Sequence, residues 1–350
     1  GAGGLIMLTA TAGNIALANV DSVLNTGAGG VTLSASAGNI TAAEATAGAG
    51  VEIQTSGTLN LTAQGIGTAA NTISVDDVTT LTISDTGGGS ASTVNIEELG
   101  TSTITTTTIT VADATSGTID INYVDADVVD INDGHVINSV VHSNSDRNFS
   151  HTATTGNTTV ADNGITAGAG NVSLIATAGS IDEVTDGTTV NVTTTGTFSL
   201  TAAGAIGDSA ADGELDTDVT TLQATTSAGG IFLRELDTTT TDGLAVGAAG
   251  VTTTGGDAAV ALTVDTGNLT LNGPITADGA GSVTLLLSGT GAAVVTDTAG
   301  ENISSTSGAI SITADSLTLV SGTIASSGAL TLQPLTTTRA IELGGGTAGL

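Results

Sequence analysis

The chain has 350 residues, 50 of them glycine and 2 proline, and its three arginines face 34 acidic residues for a formal charge of −31. So acidic a surface repels phosphate backbones and anionic headgroups, which excludes nucleic acid as a partner, and it attracts cations. Cysteine is absent, which excludes disulfides, thiol chemistry and thiolate metal sites.

The apolar content is unusual in kind. Hydrophobic residues make up 39 % of the chain, yet aromatics make up 1 %: Tyr123, Phe149, Phe198 and Phe232. Small aliphatics with glycine and threonine suit a thin, layered interior better than a thick irregular core. A mean hydropathy of +0.35 with sustained β-branched alternation argues against disorder. No stretch approaches the 18 or so apolar residues of a membrane-spanning helix.

In chain order, the first elements are short alternating runs. Val31, Leu33, Ala35 and Ala37 fall on one face of a predicted strand, and Thr32, Ser34 and Ser36 on the other. Leu59, Leu61 and Ala63 oppose Asn60 and Thr62 in the same way. Period two with one apolar face predicts a half-buried strand. Each run closes on Gly, Gly-Asn or Asp-Gly, residues that tolerate the backbone of sharp turns. Ala12-Gly13-Asn14-Ile15 returns as Ala37-Gly38-Asn39-Ile40, which predicts that Asn14 and Asn39 bond between neighbouring coils.

Residues 101–160 depart from this pattern and read as a diverged or inserted region. Asp120, Asp125, Asp127, Asp130 and Asp133 crowd together there, with all three histidines, His135, His142 and His151. A solvated acidic face is one reading. The other is a calcium site made by Asp125, Asp127, Asp130 and Asp133, because hard cations take several carboxylate and carbonyl oxygens. Convergence of the histidines on zinc is a weaker alternative.

Beyond this region the opening passage is written again, about 140 residues on. Gly168-Ala169-Gly170-Asn171-Val172-Ser173-Leu174 answers Gly27-Ala28-Gly29-Gly30-Val31-Thr32-Leu33, and Asp77-Val78-Thr79-Thr80-Leu81 reappears as Asp218-Val219-Thr220-Thr221-Leu222. Equivalent backbones are expected, with Asp77 and Asp218 each starting a strand. A shorter period is visible in Gly308-Ala309-Ile310-Ser311-Ile312 and Gly328-Ala329-Leu330-Thr331-Leu332. Internal repeats of short strands indicate stacked coils. The expected fold is all-β, a right-handed parallel β-helix (β-solenoid) of about 20–25 residues per coil. Residues 1–350 are expected to form one continuous solenoid segment of a longer chain. An antiparallel sandwich is the alternative.

Several passages carry a resemblance. Leu200-Thr201-Ala202-Ala203-Gly204-Ala205-Ile206-Gly207-Asp208, Ser227-Ala228-Gly229-Gly230-Ile231, Asp242-Gly243-Leu244-Ala245-Val246-Gly247 and Asn268-Leu269-Thr270-Leu271-Asn272-Gly273-Pro274-Ile275-Thr276 are similar to the filamentous-haemagglutinin-like, β-strand-repeat exoproteins of bacterial surfaces. The resemblance implies export to the cell surface and a role as stalk, adhesin or matrix fibre, and it brings no catalytic motif.

The expected function is therefore structural and adhesive, without catalysis and outside the cell. The expected partners are surface or matrix glycans, proteins, or further copies stacked end to end. A subunit of an extracellular filament or sheath is the second reading. A β-helical carbohydrate-active enzyme is the third, disfavoured because only three arginines are present, scattered far apart, and aromatics for sugar stacking are nearly absent.

Overall fold

The computed structural model describes residues 3–18, 22–25, 28–43, 50–68, 70–86, 94–98, 106–111, 121–125, 134–142, 148–154, 156–184, 187–210, 212–238, 243–296 and 300–338. Among them are 31 strands and no helix, and the strand pairs are parallel. The fold is a β-solenoid, as the repeats and the alternation predict. The chain divides into two compact units, residues 1–185 with 191–196, and residues 186–190 with 197–350.

In the first unit, Ile6–Thr9, Val31–Ala42, Thr58–Ile66, Thr80–Asp85, Thr106–Val111 and Gly134–His142 pair in succession as one ladder. A second ladder runs through Ile53–Thr55, Ile73–Asp76, Val94–Glu98, Ile121–Asp125, Phe149–Ala153 and Val172–Ala176. The strands described between residues 101 and 160 thus pair in parallel with their neighbours on both sides. In the second unit one ladder joins Ile231–Glu235, Val260–Val264, Val283–Leu287, Ile310–Thr313 and Leu330–Gln333.

Like stacks on like inside each ladder. Val31, Leu33, Leu59, Leu61, Leu81 and Ile83 are fully buried, each beside its counterpart in the next coil. Val260, Leu262, Val283, Leu285, Ile310 and Ile312 do the same in the second unit. Alternating aliphatics fill such an interior because every coil presents the same width to the next. Coil length is less regular than the sequence period suggests. Ile310 lies beside Leu330, 20 residues on, whereas Ile231 lies beside Val260, 29 residues on. Turns absorb the extra residues, which costs little when the strands keep their register.

One assignment changes face. Ala37 is exposed, although it has the parity of Val31, Leu33 and Ala35. The register shifts between Ala35 and Asn39 against Ala63 and Gly65, so a bulge re-aims the strand and brings Ile40 inward.

Two devices close the coils. A hydroxyl at the corner donates to a glycine carbonyl of the preceding coil and accepts the N–H of a glycine in its own. Thr55 Oγ1 donates to Gly29 O at 2.8 Å and accepts from Gly57 N at 3.3 Å. Ser305 Oγ donates to Gly281 O at 2.7 Å and accepts from Gly308 N at 2.9 Å. Thr194 with Gly170 and Gly196, and Ser326 with Gly308 and Gly328, repeat the arrangement. Glycine is required at these corners: a Cβ on Gly308 would collide with the Gly281 carbonyl. The second device is an asparagine at the start of a strand or just before it. Asn14 Oδ1 accepts from Asn39 N at 2.9 Å, and Asn157, Asn268 and Asn302 accept likewise from Ser180, Ala293 and Thr323. The bond between coils is side chain to backbone.

Candidate functional site

The second unit has a corner where the ladder rule is broken. Strand Leu215–Thr226 pairs with Ile231–Glu235 through its first residues and with Gly243–Thr253 through its last. Residues Asp216, Thr217, Asp218, Glu235 and Asp237 are all buried there, each at most 5 % exposed. Glu235 occupies the inward parity set by Ile231 and Leu233, and its partner in the next coil is Val264, also buried. Asp237 turns the chain with φ 55°, a left-handed conformation that Asp tolerates better than most residues. Carboxylate oxygens of Asp218, Glu235 and Asp237 lie within 4.8 Å of one another.

Three such groups fit a divalent cation by charge and spacing. The protein's own donors engage the same oxygens. Val219 N donates to Glu235 Oε1 at 3.0 Å, and the Thr217 hydroxyl lies 2.8 Å from Oε2. Thr238 Oγ1 donates to Asp218 Oδ2 at 2.6 Å. Asp237 Oδ2 accepts from Thr266 Oγ1 and, at 3.2 Å, from Gly243 N.

Burial pushes the Glu235 carboxyl up to about 9, against the lowering effect of the Thr217 and Val219 bonds; the charges of Asp218 and Asp237 add to the rise. Burial also pushes Asp216 up to about 7, although Arg234 beside it pulls the other way. Arg234 faces Asp216 in register and forks onto Asp265, with Nη2 to Oδ2 at 2.8 Å and Nε to Oδ1 at 3.3 Å.

The first unit holds a smaller acidic turn. Gln54 Nε2 donates to Asp76 Oδ2 at 2.8 Å and to Asp77 Oδ2 at 3.1 Å. Burial, then the neighbouring Asp77 charge, raises Asp76.

The residues singled out in the sequence fare differently. Asp127, Asp130 and Asp133 lie outside the described residues. Asp125 ends strand Ile121–Asp125, where the register sets it beside Glu98. His151 is fully buried, with Nε2 3.1 Å from Thr158 Oγ1, while the side chains of His135 and His142 are not described. The repeated Asp-Val-Thr-Thr-Leu motif does not keep its backbone. Asp77 sits in a bend with φ 62°, whereas Asp218 lies inside Leu215–Thr226. Its aliphatic positions are conserved in burial, Val78 with Val219 and Leu81 with Leu222. Packing of the apolar positions survives in both copies; the turn does not.

The Glu235 corner was not singled out in the sequence. Its signal is a carboxylate at an inward parity, Ile231-Phe232-Leu233-Arg234-Glu235, followed two residues later by Asp237. Elsewhere in the second unit a shallow groove is lined by small polar side chains such as Thr276, Ser304 and Ser326, by the carboxylate of Asp278, and by the apolar Ile324 and Ala325.

Comparison with protein-family models, with curated proteins and with solved structures finds no match.

Proposed function

We propose that this chain is a structural and adhesive segment of a large secreted or cell-surface bacterial protein, a stalk or adhesin without catalytic activity. The observation that carries the reading is the repetition of one interior through coil after coil, with aliphatics stacked inside and small polar side chains outside. Such a construction spreads load over many equivalent strand pairs and repeats the same outer surface, which suits adhesion to glycans or proteins of a surface or matrix. The similarity of its strand motifs to filamentous-haemagglutinin-like exoproteins supports the same reading, and the acidic surface suits solubility outside the cell.

Antibodies against the chain should label intact producing cells or their matrix, and beads coated with it should bind host or matrix glycans. Labelling confined to permeabilised cells would overturn the proposal. Regular fibres formed by the purified chain in the electron microscope would favour the filament reading instead, and release of oligosaccharides from an acidic polysaccharide would favour the enzyme.

A further inference from the structure

Glycine follows asparagine at two places in the chain, Asn163-Gly164 and Asn272-Gly273. In such a dipeptide the glycine nitrogen can attack the asparagine carboxamide, because no Cβ on the glycine blocks its approach. Both asparagines are exposed, so exposure does not separate them. The glycine nitrogen does. Asn163 turns the chain with φ 52°, and Gly164 N donates to Ala161 O at 2.8 Å across the turn. At the second place Asn272 N donates to Val246 O at 2.9 Å, and Pro274 O accepts from Val251 N at 2.8 Å. Gly273 N, between them, has no hydrogen-bond partner among the described residues. We propose that Asn272-Gly273 is a site of spontaneous modification, closing to a succinimide that opens to aspartate or isoaspartate, and that the turn at Asn163-Gly164 withholds the same chemistry there.

The step balances with water alone. Hydroxide removes the Gly273 N–H proton, the nitrogen bonds to Asn272 Cγ, and the Cγ–Nδ2 bond breaks. Nδ2 takes a proton from water and leaves as ammonia. Water then opens the ring at one of its two carbonyls. Cleavage between Cγ and the nitrogen restores the ordinary backbone with an aspartate side chain. Cleavage at the Asn272 backbone carbonyl leaves the chain running through Cγ, which is isoaspartate. Either product adds one negative charge.

The isoaspartate route has a structural cost. It threads one more atom into the backbone between Asn272 N and Pro274 O, and both of those are bonded to the preceding coil. Gly273 packs so closely on that coil that a Cβ would collide with the Gly247 carbonyl. The turn has no slack for the added atom, so the isoaspartyl chain gives up one of the two bonds. Strands Asn268–Leu271 and Ile275–Ala277, on either side of the turn, lose part of their hold on Gly243–Thr253.

The test is incubation of the full chain at mildly alkaline pH, folded and in strong urea. Mass-spectrometric peptide mapping then follows, with a protease that cuts beside acidic residues because only three basic ones are present. In the folded chain Asn272 should lose ammonia about tenfold faster than Asn163, the factor set by the hydrogen bond that Gly164 must give up. In urea the two rates should converge. Asn272→Gln, which would need a six-membered ring, should remove the product at that site. Protein aged to contain isoaspartate should melt below the wild type. Asn272→Asp, which adds the charge without the extra atom, should melt with it. Equal rates at the two sites in the folded chain would overturn the proposal, and aged protein that melts with the wild type would overturn the cost assigned to isoaspartate.

Discussion

At four coil corners a single hydroxyl, that of Thr55, Thr194, Ser305 or Ser326, satisfies two backbone groups at once. Removing Ser305 Oγ leaves the Gly308 N–H and the Gly281 carbonyl to find other partners. Ser305→Ala should therefore cost about 2 kcal/mol, read as a lower denaturant midpoint with unchanged m value. Ser305→Thr is the control, because Thr55 and Thr194 already fill the equivalent place. A Thr variant as unstable as the Ala variant would count against the hydroxyl as the cause. Asn302→Ala should cost about 1 kcal/mol, since Thr323 N loses one exposed bond and water can replace it. These partners were only partly legible in the sequence. Asn14 and Asn39 were marked by their repeat, but the serine and threonine corners are hidden among many similar residues.

The strand is the unit at which sequence and structure agree best. Inward parity alone identifies Leu59, Leu61 and Ala63 as core, and all three are fully buried. Leu61→Ala should cost about 3 kcal/mol, because neighbouring coils are held at fixed spacing and cannot collapse into the space. Leu61→Asp should prevent folding of its coil or cost more still. The bulge offers a sharper comparison. Ala37 shares the parity of Leu33 yet is exposed, so Ala37→Asp should change stability by less than about 0.5 kcal/mol. A loss comparable to that of Leu61→Asp in the same unfolding assay would mean that the strand has no bulge there. Parity cannot reveal such a slip, because a bulge depends on how many residues the adjacent strand provides.

At the scale of the whole molecule, charge sets the conditions. With a formal charge of −31, the folded chain repels itself, and screening should raise the melting midpoint as sodium chloride increases toward about 0.2 M. In the described strand pairs acidic residues sit beside Ser, Thr, Gln, Arg or an aliphatic residue, and Asp125 beside Glu98 is the pair in which two acids meet. Calcium should raise the midpoint above that in sodium chloride of equal ionic strength, through the set Asp125, Asp127, Asp130 and Asp133. Melting curves in calcium, magnesium and chelator check this, and identical midpoints would leave the acidic surface as a solubility device.

What the sequence by itself determined is the class of fold: strands from period two, coils from the internal repeat, and a thin interior from aliphatics without aromatics. These are local or periodic properties, and each residue carries its share of them. Tertiary structure decided which strand lies beside which, where a bulge turns Ala37 outward, and why two copies of Asp-Val-Thr-Thr-Leu place their aspartates differently. It also decided that Asp218, Glu235 and Asp237 meet. Their carboxylates come together because a strand that starts against Ile231–Glu235 continues against Gly243–Thr253. The turn between those two partners folds Asp237 onto it, a juxtaposition that depends on chain path and leaves no period in the sequence.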